Sequence, residues 1–326
     1  MTKRFDVVST GECLIDVLLK TGKESSSVQM TGNAGGAPVN VLAALSRLNC
    51  STSYLGKISR DAFGQYLIRV MQENGIDTSG VVLTDDQTTL AMVSLNEKGD
   101  RDFSFYREGT ADVNYSKEDV NTDIIRDAKV FHFGSVSMVS EPSRTATLWA
   151  AKYAKECGVK VSFDPNLRPV LWKDPENARP WIEEGLAVAD YVKVSEEELV
   201  YLTGTADNLE GARELLRKYP ITFLAVTLGP KGCACFSGDA CAYEQTYDTN
   251  CIDTTGSGDA CWGAILSCLV ECSDSGRNLS REALAEIAQF GNAAGALCAS
   301  KHGAIYSMAT KEEILECMRR APRLVY

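Results

Sequence analysis

Two histidines, His132 and His302, are all that the 326 residues contain, and they stand far apart in the chain. That is too few for a histidine-based metal site, and a core or surface role is expected for each. Basic residues are outnumbered, with 33 Lys and Arg against 44 Asp and Glu, a net charge of −11, and no Lys/Arg cluster. Neutralising a phosphate backbone needs a basic face, so a nucleic-acid partner is excluded. No apolar run approaches the roughly 18 residues needed to cross a bilayer, and no membrane partner is expected. The opening MTKRFDVVSTGE moves straight into an alternating strand pattern, without the apolar core of a signal peptide, so a cytoplasmic protein is expected. The twelve cysteines include no CxxC pair and no framework spacing, and are expected to be reduced and mostly buried. The GxxxxGK loop is missing, and GxGxxG fails because Cys261 stands where its last glycine belongs, which argues against a nicotinamide-dependent oxidoreductase. Without repeats or Pro-rich linkers, one domain over residues 1–326 is expected.

What is present is alternation. FDVVST, SYLGKI, KVFHFG, KVSFD, YVKVS and TFLAVTL read as strands, while APVNVLAALSRL, DAFGQYLIRVMQENG, RTATLWAAKYAKECG and DACWGAILSCLVE read as helices. This order predicts a mainly parallel sheet covered by helices on both faces. Gly75 and Gly158 stand where helices end, the left-handed position that glycine takes at low cost. Two stretches, about residues 14–31 and 88–107, lack an intervening helix and alternate apolar with polar side chains. They predict antiparallel hairpin strands, the second turning at NEKGD, residues 96–100. A small sheet spliced into a parallel core suits a lid that excludes water from a reacting centre.

The densest chemistry lies in DTTGSGDACWGAIL, residues 253–266. A Gly-Ser-Gly turn running into a helix aims backbone amides at whatever precedes it, an anion hole for a transferring phosphoryl group. Asp259 at its lip has two readings, a helix cap or a carboxylate that takes a proton from an attacking hydroxyl. In GNAGGAPVNVLAALSRL, residues 32–48, Gly35 and Gly36 permit close approach of backbone to a ligand, or form an ordinary turn, and Asn40 lies one turn into the helix. Asp16 follows a strand end, placed to accept sugar hydroxyls or to face solvent.

The order GECLIDV, AGGAPVNVLAALSRLN, FDPNLRP, KVSEEEL, VTLGPKG, DTTGSGDACWGAIL and NAAGALCASKHGA resembles the ribokinase-like PfkB family of carbohydrate kinases, most closely its fructokinase branch, over roughly residues 5–308. The resemblance implies a ribokinase-like three-layer α/β/α sandwich with a mainly parallel central sheet and a small β-lid, and MgATP-dependent phosphorylation of a sugar. It implies Asp259 as base, with Gly256, Ser257 and Gly258 as anion-hole donors, and Asp16, Gly35, Gly36 and Asn40 on the sugar. Arg107 and Arg168 match arginines near the sugar and transferred phosphate in fructokinases and 2-keto-3-deoxygluconate kinases. Ser195 replaces the family's usual Asn three residues before Glu198, which is expected to organise a water-bound Mg²⁺. Thr227, Gly229, Gly232 and Asn292 match nucleotide contacts. Asp253, Gly303 and Ser307 match a monovalent-cation site, with K⁺ the expected ion, and the lid implies a homodimer. Fructose is the favoured acceptor, with 2-keto-3-deoxygluconate and aminoimidazole riboside as alternatives. A silent sugar-binding relative would be expected to lose Gly256, Gly258 or Asp259, and all three are present.

Overall fold

The computed structural model describes residues 3–21, 28–95, 101–272 and 276–325. Its strands are β1 (Phe5–Thr10), β2 (Leu14–Thr21), β3 (Val28–Gly35), β4 (Thr52–Ser59), β5 (Ile76–Thr84), β6 (Leu90–Leu95), β7 (Arg101–Tyr106), β8 (Ala128–Gly134), β9 (Lys160–Asp164), β10 (Tyr191–Ser195), β11 (Phe223–Thr227), β12 (Cys233–Ser237) and β13 (Ala240–Glu244). The helices are α1 (Ala37–Arg47), α2 (Ala62–Glu73), α3 (Thr122–Arg126), α4 (Ser143–Glu156), α5 (Arg179–Val188), α6 (Glu196–Thr203), α7 (Asn208–Lys218), α8 (Ser257–Glu271), α9 (Arg281–Ala299) and α10 (Lys311–Arg320).

The large sheet has the order β13-β12-β11-β10-β9-β8-β1-β4-β5. Neighbours run parallel from β11 to β5, and β12 and β13 close one end as an antiparallel hairpin. Successive side chains leave a strand on opposite faces, so the continuous apolar runs feed two cores. On one face Val7, Tyr54 and Phe223 meet Leu42 of α1, Leu67 of α2, Trp262 of α8 and Leu284 of α9. On the other, Val8, Leu55 and Leu224 meet Ala150 of α4, Ile182 of α5 and Leu215 of α7. The expected three layers are therefore present. Gly75 and Gly158 follow α2 and α4 at φ 75° and 72°, as their positions predicted. No disulfide forms among the described cysteines.

The lid is a separate four-stranded sheet of order β3-β2-β6-β7. The antiparallel expectation holds within the pairs β2–β3 and β6–β7 but not between them, because β2 and β6 run parallel, Ile15 beside Leu90. Its first arm also continues past residue 31 to Gly35. The NEKGD turn lies outside the described residues.

One helix contact decides the geometry below. At Gly263 a Cβ would lie 2.6 Å from the Ala44 Cβ and 3.0 Å from the Val41 carbonyl, so α1 and α8 approach closely only because no side chain intervenes.

Candidate active site

A cavity of about 470 Å³ lies between the lid and the core. Lid residues Asp16 and Asn33 line one wall, and core residues Asn40, Arg168, Gly256, Gly258 and Asp259 line the other.

Asp259 is the third residue of α8, which starts at Ser257 with Gly256 as its N-cap at φ 78° and no capping side chain. The cap reading of Asp259 therefore fails, since its carboxylate points elsewhere: Oδ2 accepts a 2.8 Å hydrogen bond from Asn40 Nδ2, across the α1–α8 contact. Burial raises the Asp259 pKa, while the Asn40 bond and the charges of Lys193 and Arg168 oppose the rise. The amides of Gly256, Gly258 and Asp259 have no acceptor among the described residues, whereas Ser257 N–H bonds the Thr254 carbonyl at 3.2 Å. Closing the turn engages the Ser257 amide, expected as an anion-hole donor, and leaves the Asp259 amide open beside those of Gly256 and Gly258.

Asp16 on β2 sits against Gly35 on β3, where any Cβ would land on the carboxylate. Gly36, at φ 113°, would likewise strike the Glu12 carbonyl with a side chain. Burial pushes Asp16 up to about 6; Arg168 opposes this, and Asp259 and Asp253 reinforce it. Arg168 follows a turn in which Asn166 takes φ 45° and Leu167 N–H donates to Glu198 Oε1 at 2.6 Å. Arg107 is buried outside the cavity lining, where its Nε donates to Asp112 Oδ2 at 2.9 Å.

The expected nucleotide residues lie outside this cavity, around the β10–β13 end of the sheet. Ser195 and Glu198 form a reciprocal capping box at the start of α6, a role the sequence reading did not give them. Ser195 pairs in register with Thr227, and Gly229 and Gly232 follow at φ 55° and 114°. A Cβ at Gly232 would meet the Glu244 carbonyl, and Asn292 Nδ2 donates to that same carbonyl at 2.8 Å. Asp253 joins two loops, accepting from Thr255 N–H at 2.9 Å and Gly303 N–H at 3.2 Å, while Ser307 Oγ donates to the His302 carbonyl at 2.9 Å. Of the three residues expected to hold a monovalent cation, Asp253 and Gly303 thus meet beside the turn before α8, and Ser307 bonds the residue preceding Gly303.

Across residues 4–311 the chain matches the model of the pfkB family carbohydrate kinases. The chain belongs to this family. It is 39% identical to fructokinase-1 of Zea mays over 97% of this chain and 98% of that protein. The structure of a fructokinase with bound ATP from Xylella fastidiosa superposes with a TM-score of 0.89 at 32% identity, covering 97% of this chain and 98% of the other. A fructokinase from Vibrio cholerae O395, solved with fructose, ADP and calcium ion, gives 0.84 at 28%, covering 97% and 99%.

This pfkB chain also brings to the cavity groups that motif reading passed over. Lys193 is a cation in the middle of the buried YVKVS strand, and a charge in an otherwise apolar central run is the signal that marks it. Glu12 accepts from the Ala37 amide at 3.0 Å, while its Oε2 is buried without a partner, and burial pushes its pKa up to about 7. No local pattern announces Glu12, because its partner lies 25 residues on.

Proposed function

We propose that the chain is an ATP-dependent fructokinase that converts fructose to fructose 6-phosphate, with Asp259 as the base. The carrying observation is the placement of one carboxylate: Asp259 is fixed by Asn40 beside open amides and faces Asp16 across the cavity between lid and core. A sugar hydroxyl between them gives its proton to Asp259 as its oxygen attacks the terminal phosphorus, and the Gly256, Gly258 and Asp259 amides meet the charge that develops. Asp16, Gly35, Gly36 and Asn40 hold the sugar, Arg168 spans sugar and phosphate, and Arg107 acts from behind the lid through Asp112. Ser195, Thr227, Gly229, Gly232 and Asn292 frame the nucleotide. The donor set suits a water-bound Mg²⁺, since Glu198 already holds two backbone amides and would act on the ion through its waters. Such an ion, when bound, offsets phosphate charge. Asp253, Gly303 and Ser307 are assigned to a monovalent cation; a double mutant of the Vibrio cholerae fructokinase was solved with potassium ion. We assign the chain one domain whose lid, with Val28, Met30 and Tyr106 exposed, docks on a second copy.

ADP release with MgATP and a panel of fructose, 2-keto-3-deoxygluconate, ribose and aminoimidazole riboside tests this. Fructose should give the highest kcat/KM; preference for another acceptor overturns the assignment of substrate, and no turnover overturns the kinase. Asp259→Asn should cut kcat by about 10²-fold or more while sugar binding persists.

A further inference from the structure

Lys193 stands at the centre of β10 with 6% of its surface exposed, and its Nζ donates to both oxygens of Asp164, at 3.1 and 2.9 Å. A buried ion pair is weak evidence for stability, because apolar residues of the same volume often serve as well. This pair is not sealed in the core. Lys193 lines the cavity, and its Nζ is 3.4 Å from where a Gly258 Cβ would sit, directly beneath the first turn of α8. Its partner Asp164 ends β9 and is followed by the turn that delivers Arg168.

We propose that Lys193 is a positioning residue for phosphoryl transfer: it sets the field that keeps Asp259 ionised in a buried site and, through Asp164, anchors the Arg168 turn. The charged groups facing Lys193 are Asp164 on β9, Glu198 on α6 and Asp259 on α8, with His132 on β8, Cys233 on β12 and Cys261 on α8 as neutral neighbours. Those facing Asp259 are Lys193, Arg168, Asp164 and, from the lid, Asp16, with the Cys298 thiol on α9. Burial pulls the Lys193 pKa down, but its three carboxylate neighbours outweigh that and raise it, so the cation persists at every working pH.

The inference rests on Asp259 as base, and the experiment separates the two. The quantity read is kcat against pH at saturating sugar and MgATP, where the acid limb reports the base in the complex. Lys193→Met removes a cation, so the limb should move to higher pH by about one unit or more. Asp164→Asn leaves Lys193 without its competing carboxylate, so the limb should move to lower pH, and Lys193→Arg should restore the wild-type position. General structural damage would instead lower kcat at all pH values without moving the limb. If Lys193→Met does not fold, Lys193→Gln decides, since Asp164→Asn also removes a carboxylate that acts on Asp259 directly. A limb that survives in Asp259→Asn sinks the base; a limb lost there but unmoved by the neutral Lys193 variant overturns the role of Lys193.

Discussion

Asp259, buried, and half-buried Asp16 face each other across the cavity and are held as anions by unequal means. As the proposed base Asp259 takes a proton only when ionised, and an amide donor and two cations oppose the rise that burial causes. Asp16 has Arg168 alone on its side and is pushed up to about 6 by burial and by two other carboxylates. Above that pH it accepts sugar hydroxyls as an anion; below it the neutral acid accepts them more weakly. Sugar KM should therefore rise several-fold as pH falls from about 8 to about 5, and Asp16→Asn should give a high, flat KM over that range. A wild-type KM that stays flat would remove Asp16 from the sugar. At this scale the short motifs pointed to residues that the fold brings to one cavity, as for Asp16, Gly36 and Asp259. The sequence was silent where partners come from distant strands: Lys193 and Asp164 are 29 residues apart and meet only because β9 and β10 are neighbours in the sheet.

The helix pair α1 and α8 turns two motifs into one site. Their closeness at Gly263 is what lets Asn40, on one helix, reach Asp259 on the other. Gly263→Val would force the helices apart, and overpacking of this kind costs about 1–3 kcal/mol. We expect a lower melting temperature together with a fall in kcat of about tenfold or more, the latter because the Asn40–Asp259 bond is stretched. Unchanged kcat in a destabilised variant would show that the bond does not depend on this contact. The elements were legible because period and capping are local: all the quoted strand and helix segments recur within a residue or two of their ends. Pairing between segments is not local. Nothing in LIDVLL or TTLAMVSL says that β2 and β6 lie side by side in parallel, since β3, α1, β4, α2 and β5 stand between them in the chain.

For the whole molecule, the lid is the part whose surface does not look finished. Val28 is 53%, Met30 63% and Tyr106 65% exposed, on the two outer strands of a small sheet. With a second copy covering them, Met30→Glu should convert a dimer to a monomer by light scattering and leave kcat within about threefold, since Met30 is outside the cavity lining. A wild-type monomer at micromolar concentration would refute the lid interface. The first arm of the lid departs from the core just after Gly11 and returns at Gly36, two glycines at φ 142° and 113°. Asp16 rides on that arm, while Asp259 is built into a helix of the core. In the proposed reaction the acceptor is thus held by the lid and activated by the core. On that proposal, substitutions in the arm can change which sugar is held without touching the helix that carries the base.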